Sequence, residues 1–389
     1  MVRQASLQTE LEPIVGPENL RPAGAYVVDG VMPRVAVAPR DAETVAAVVR
    51  YANERGLTII PQGGRRHIAL GNVPTRYDIA VDTTGLADVV EYEPEDLTIT
   101  VQAGMTLGAL RKATAKAAQA VPFDPSLPDE ATVGGALAAD AWGAARMSLG
   151  AARDFTIGLR VVTGDGLVTR AGGRVVKNVA GYDMCKLYIG SLGTLAVITE
   201  ATFKTLPLPK AMERLAFGFA GAEEACRVPN EAIMRGLTVR SAVVSREGSR
   251  WLLDVQLAGS PAAVKHSVAE LRSLAREEGG TDAPPPAKSQ TRAVTSRVLA
   301  LPSRVAGVIA ALPKDATIAA YPTLGVARVG SDAPLELGVP SVIEACPAAM
   351  KAGREVFGDA PASLELMRAM KAKLDPKGVL GPGRFVGGI

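Results

Sequence analysis

The segment YIGSLGTLAVITEATFKTLPLPK, residues 188–210, limits the folds open to this chain more than any other stretch. Its run of Val, Ile and Thr has the chemistry of a buried strand. Pro207 and Pro209 end it, because proline cannot donate to a ladder. Gly190, Ser191 and Gly193 stand directly before it. Glycines there let the chain bend sharply and let another group lie close to the backbone. Any fold that contains this segment must therefore place something against the entry of a strand.

Two other glycine-rich places pose the same requirement. PQGG at 61–64 leaves the short strand Leu57–Ile60, and its backbone N–H groups can turn toward one point and admit an anion such as a pyrophosphate. Alone, PQGG also reads as an ordinary tight turn. PSLPDEATVGGALAADAWGAARMSLGAARD, residues 125–154, carries Gly134, Gly135, Gly143 and Gly150 with almost no periodicity. The stretch 122–153 therefore reads as irregular. So long a structureless segment needs partners for its backbone groups, and a large polar ligand can supply them.

Around these loops short strands alternate with helices. Asp41 is placed to cap a helix whose stripe is Val45, Val48, Val49 and Ala52 and which Gly56 ends. Strands follow near 78–82, 88–92 and 97–102, then a helix near 106–118. FTIGLRVVTGDGLVTR reads as a hairpin turning on Asp165-Gly166 in type I′ geometry. Past residue 210 the order over 214–280 is strand, helix, two strands, helix. GTDAPPPAKSQ, 280–290, is a Pro-rich loop, and LDPKGVLGPGRF, 374–385, follows a helix near 361–373. The sequence shows no internal repeat.

At 389 residues the chain has room for two cores. A composition 48% hydrophobic and only 4% aromatic fits an Ala/Val/Leu-packed protein with helices and sheets. With 43 basic and 40 acidic residues, net charge +3, it has no field of the kind that nucleic acid requires. Three scattered cysteines form neither a disulfide framework nor a metal-ligand set and fit a reducing compartment. The N-terminus lacks a signal-peptide core, and no apolar run approaches the roughly 18–20 residues that span a bilayer. The expectation is a cytoplasmic protein without direct membrane insertion, peripheral to a membrane only through a partner. A nicotinamide-type Rossmann site is excluded, since no G-x-G-x-x-G follows the first strand and opens a helix.

Taken in order, PQGG after a strand, TVGG, SLG, GSLGTLAVITEATFKTLPLP and DPKGVLGPGRF resemble the PCMH-type FAD-binding fold of the vanillyl-alcohol oxidase family. Within it, GGRVVKNVAGYDMCKLYIGSLGTLAVITEATFKTLPLP is most similar to FAD-binding E subunits of bacterial glycolate oxidases. The resemblance implies an α+β architecture: a two-subdomain FAD-binding domain, a smaller α/β, ferredoxin-like cap, and a C-terminal segment returning to the first domain. The boundaries it suggests are an extension at 1–29, the FAD domain at 30–208, the cap at 209–355 and the returning segment at 356–389. It implies FAD as cofactor, bound without a covalent link. Pro61, Gln62, Gly63, Gly64 and Arg65, with Thr132, Val133, Gly134 and Gly135, would wrap the diphosphate and ribityl chain. Ser148, Leu149 and Gly150 would lie near the ring or ribityl, Gly193 at the close turn, and Val197 and Ile198 by the adenine. Two positions depart from the family pattern. Arg65 and Arg66 replace small residues, and Gly381-Pro382-Gly383 replaces Asn-Pro-Gly. Lys177, Asn178, Tyr182 and Asp183 are open between packing and contact with flavin or a partner.

Catalytic relatives that oxidise 2-hydroxy acids commonly use several histidines and a metal, and this chain has two histidines, His67 and His266. No multi-histidine site can be built from them. No catalytic residue is assigned, and no metal site. The resemblance then implies a FAD subunit working beside a second FAD-containing catalytic subunit and an iron–sulfur subunit that carries electrons to quinone. A self-sufficient FAD dehydrogenase of another hydroxy acid or alcohol, and a non-catalytic scaffold, are the rival readings.

Overall fold

The computed structural model describes residues 2–123, 125, 127–173, 182–287 and 291–389, with side chains from Leu7 onward. It divides into two compact units, one of Met1–Trp142, Ala151–Pro207 and Lys351–Ile389, the other of Gly143–Gly150 and Leu208–Met350.

In the first unit, helix α1 (Val2–Val15) and the strands β1 (Leu20–Arg21) and β2 (Val35–Val37) precede α2 (Ala42–Arg55), β3 (Ile59–Gln62) and β4 (Ile79–Asp82). Asp41 caps α2 as the sequence requires, its carboxylate accepting from Thr44 N at 2.6 Å, and Gly56 closes the helix in the left-handed conformation. The first sheet has the order β1-β2-β4-β3, with β2, β4 and β3 parallel. Its β2–α2–β3 crossover buries Val45, Val48, Val49 and Ala52 against Ile59 and Ile79, and Leu7, Leu11 and Val15 of α1 join the same core.

The chain continues through β5 (Val89–Glu93), β6 (Thr98–Gln102), α3 (Leu107–Ala115) and β7 (Gln119–Ala120). The stretch read as irregular in fact contains three short helices, α4 (Val133–Ala138), α5 (Arg146–Leu149) and α6 (Ala152–Phe155). Four to six residues are too few to show a period in sequence, yet they pair many of the backbone groups that had seemed to need a ligand. Next come β8 (Thr156–Thr163), β9 (Val168–Gly172), α7 (Cys185–Tyr188), β10 (Ala196–Lys204) and β11 (Leu206–Pro207). The second sheet is antiparallel in the order β5-β6-β10-β8-β9. Its β8–β9 turn corrects the type I′ expectation. The bond Gly166 N→Thr163 O makes Gly164 and Asp165 the central pair, and Gly166 follows at φ +80°. The Asp165 carboxylate accepts from Thr163 Oγ1 and Leu167 N, a local bond set that favours this three-residue loop.

Strand β10 serves two of this unit's cores. Val197 packs with Ile59, Val81 and Val162, while its neighbour Ile198 packs with Ile99, Val161 and Phe203. Alternation of side chains along a strand turns two adjacent residues into walls of two subdomains.

The second unit holds β12 (Ala211–Phe219), α8 (Ala222–Met234), β13 (Val239–Glu247), β14 (Arg250–Gly259), α9 (Pro261–Glu277) and β15 (Thr281–Asp282). It continues with β16 (Val294–Leu299), α10 (Val305–Ala310), β17 (Thr317–Tyr321), β18 (Val326–Ser331) and β19 (Ser341–Ala345). The sheet order β15-β12-β14-β13-β17-β18-β16-β19 contains a ferredoxin-like β-α-β-β-α-β module, then the same strand order reversed. The second module has no helix between β18 and β19. The cap is thus a doubled ferredoxin-like sheet, joined where β13 pairs antiparallel with β17. The repeat escapes the sequence because the halves share a strand order rather than residues.

The chain re-enters the first unit at the end of α11 (Ala348–Lys351) and finishes with α12 (Leu364–Leu374) and the closing motif. Among the described residues no helix is long and apolar enough to cross a membrane.

Candidate functional site

Strand β3 delivers Gln62 to a turn, Gly63-Gly64, that lies directly on Thr132 at the start of α4. Gly64 N donates to Thr132 Oγ1 at 3.1 Å, and a Cβ added to Gly63 would fall 2.1 Å from that oxygen. A Cβ on Gly64 would meet the Glu130 carbonyl at 2.7 Å, and one on Gly134 would meet Ala103 Cβ at 2.7 Å. Real side chains do not approach so closely, so these positions take glycine because two loops interdigitate. The turn before β10 joins the same cluster. Gly190 N and Leu192 N donate to Leu137 O and Ala138 O, and Gly193, at φ +72°, leaves the space that Pro61 Cγ occupies. Three loops far apart in sequence are one surface.

Two clefts open on that surface. The larger, about 530 Å3, is lined by Gly63 to Ile68, Thr132, Gly135, Leu192 and Arg384 among others. The smaller, about 360 Å3, runs over Pro61, Gly134, Gly135 and Gly193 to Val197 and Ile198. Among the described residues the larger cleft has Arg65 and Arg66 in its lining, with Arg384 buried on Asp29 and Arg66 3.7 Å from Glu130, and its glycine-loop N–H groups suit an anion. Gln62 Oε1 is buried there without a hydrogen-bond partner, while its Nε2 donates to Tyr26 O and to Tyr77 Oη. Pro61, Gln62, Gly63, Gly64, Arg65, Thr132, Gly134, Gly135, Gly193, Val197 and Ile198 therefore come together. Val133 is fully buried behind them. Ser148, Leu149 and Gly150 belong to the other unit, where Ser148 Oγ donates to Arg240 O at 2.7 Å.

Arg65 keeps a glycine-like backbone at φ +55° despite its side chain, at a cost of about 1 kcal/mol. Its guanidinium donates to Ala25 O and lies 5.0 Å over the Tyr26 ring. The loop thus turns left-handed at Arg65 although the residue there is not small. Gly381, at φ +49°, likewise takes a conformation that asparagine tolerates and glycine adopts freely.

Burial and the hydrogen bond from Tyr26 Oη to Asp82 push the Tyr26 phenol up to about 12, and burial raises Tyr77 further. Neither is a base at neutral pH. Arg153 pairs with Asp140 at 3.5 Å. Tyr182 is 95% exposed, Asp183 pairs with Lys186 at 3.2 Å, and Lys177 and Asn178 lie outside the described residues. His67 lines the larger cleft and His266 is exposed on α9. Arg384 and Lys351, both buried, were missed in sequence because their partners lie some 280 or more residues away.

Residues 33–172 match the family described as FAD binding domain, and residues 358–385 match FAD linked oxidases, C-terminal domain. Glycolate oxidase subunit GlcD of Bacillus subtilis is 31% identical over 237 residues, 58% of this chain and 50% of that protein. Glycolate oxidase subunit GlcE of Escherichia coli is 39% identical over 154 residues, 39% of this chain and 43% of that protein. Among solved structures, the 4-ethylphenol oxidase of Gulosibacter chungangensis aligns with a TM-score of 0.70 over 99% of this chain and 97% of its own. At 16% identity that likeness is one of fold alone. The chain spans about half the length of the curated relatives it matches.

Fold and clefts together define a flavin-binding protein with a PCMH-type domain. Residues 33–172 are similar to FAD-binding domains and residues 358–385 to the C-terminal domain of FAD-linked oxidases, and the cofactor is FAD.

Proposed function

We propose that this chain is the FAD-binding subunit of a multi-subunit glycolate oxidase or dehydrogenase, taking part in 2-hydroxy-acid oxidation and in electron transfer toward an iron–sulfur subunit and quinone. One observation carries the reading: a glycine-loop FAD site stands in a chain with only two histidines. The similarity to GlcE over 154 residues supports the subunit role. FAD, when bound, supplies a two-electron acceptor for the substrate C–H bond.

The chain's own residues do the holding. Backbone N–H groups of the first two loops, with Arg65 and Arg66 at the rim of the larger cleft, receive the diphosphate, and Val197 and Ile198 wall the adenine. With two histidines in this chain, the main 2-hydroxy-acid site and the group that removes the hydroxyl proton belong to a second FAD-containing subunit. His67 stands two arginines beyond the glycines, so flavin is held without a covalent bond. Denaturation in acid should release the yellow chromophore into solution, whereas chromophore retained on the polypeptide would contradict this.

Anaerobic addition of glycolate tests the whole. The purified chain alone should keep its flavin oxidised, and the chain co-purified with its partners should bleach. Bleaching of the isolated chain would establish the rival, a self-sufficient dehydrogenase.

A further inference from the structure

The loop after the first glycines, residues 65–72, is shaped by the far end of the chain. Five successive carbonyls, of Ile68, Ala69, Leu70, Gly71 and Asn72, turn toward two buried cations. Lys351 Nζ takes Ala69 O and Gly71 O at 2.5 and 2.9 Å, and Arg384 takes Ile68 O, Leu70 O and Asn72 O at 2.8, 2.6 and 3.2 Å. Asp29 bridges the pair, accepting from Lys351 at 2.8 and 2.9 Å and from Arg384 at 2.9 Å. The Lys351 side chain is 0% exposed and that of Arg384 5%.

The same short segment grips both ends of the loop. Ile59 N donates to Val379 O and Gly381 N to Ile59 O before it, while Asn72 N donates to Arg384 O and Thr75 N to Pro382 O after it. Gly71 sits at φ +105°, and a Cβ there would fall 2.7 Å from Arg384 O. Loop 63–71 thus spans between two anchors set by residues 379–384, and its inner face, from Gly63 to Ile68, is a wall of the larger cleft.

We propose that Lys351 and Arg384 are positioning residues for the cofactor, making FAD binding and docking of the C-terminal segment 351–389 one coupled equilibrium. The inference rests on the assignment of FAD to the glycine loops. By linkage, FAD must tighten the docked segment as much as docking tightens FAD. Neither cation needs to touch the flavin. Each acts by holding carbonyls that would otherwise be buried without donors.

Two measurements on the full-length chain test it. In the first, flavin-stripped protein is titrated with FAD for wild type, Arg384→Met, Arg384→Lys, Lys351→Met and a surface control, Lys265→Met. The dissociation constant should rise at least tenfold in both Met variants, rise less in Arg384→Lys, and stay unchanged in the control. A lowered melting temperature with wild-type FAD affinity would reduce the cluster to ordinary packing and overturn the proposal. In the second, which needs no variant, amide hydrogen exchange follows residues 68–72 and 379–385 with and without FAD. Joint protection of both segments is expected. Protection of the glycine loops with no change at 379–385 would refute the coupling, and a wild type that takes up no FAD would instead refute the site itself.

Discussion

Gly63 and Thr132 meet at a distance that leaves no room for a methyl group, 2.1 Å from the missing Cβ to Oγ1. Gly63→Ala should therefore cut the flavin content of purified protein severalfold. With Thr132→Ala in the same chain the next nearest atom is Cβ of residue 132 at 3.2 Å, so the pair should recover part of what the single change loses. Thr132→Ala alone should cost about 1 kcal/mol, from the lost bond to Gly64 N. Flavin absorbance per polypeptide and thermal melts check all three. Equal losses in the single and double variants would show that the contact is not what makes glycine necessary. Gly134→Val, whose side chain would strike Ala103, should likewise lower occupancy, and full occupancy would count against the loop assignment. Gly63 stood out in sequence because it follows a strand, and Gly134 because it lies in a long stretch without periodicity. Their pairing with one another did not, since nothing in PQGG names Thr132 as its neighbour.

Helix α2 shows where sequence is a sufficient guide. Its cap, stripe and left-handed end are all local, and the structure follows them. The short helices α4 to α6 and the doubled cap sheet were hidden for opposite reasons, the first too brief to show a period and the second repeated in geometry alone. The role of α12 was hidden by distance. Lys371 Nζ donates to Asp375 Oδ2 at 2.6 Å and to Thr194 O and Leu380 O, both at 2.7 Å, tying the helix to the closing motif and the third glycine turn. Lys371→Met should destabilise the chain on the order of 3 kcal/mol, since it leaves a buried carboxylate without its cation. Chemical denaturation measures this, and a loss under about 1 kcal/mol would mean that the bonds from Val379 N and Leu380 N suffice for Asp375. Alkaline pH acts on other buried groups. Burial pushes the Cys185 thiol up to about 11, and burial with the Asp82 hydrogen bond pushes Tyr26 up to about 12. A raised folded value means the native state holds its proton longer than the unfolded chain. Stability should therefore be fully present below about pH 9 and fall as pH rises toward 12. A melting temperature flat across that range would contradict it.

At the scale of the molecule, the sequence made the α+β class and the FAD-type order of loops legible, because those depend on motif order along the chain. It left illegible how a C-terminal segment supplies buried cations to an N-terminal loop, which is a property of the closed fold. The central claim is that the three glycine loops, converged on Pro61 and Thr132, enclose one flavin dinucleotide. The visible spectrum of the freshly purified full chain, with phosphorus and flavin measured on the same sample, tests this most directly. The account predicts oxidised-flavin absorption with about one FAD per polypeptide, restored to flavin-stripped protein by FAD. A folded, colourless chain that stays colourless after incubation with FAD would contradict it.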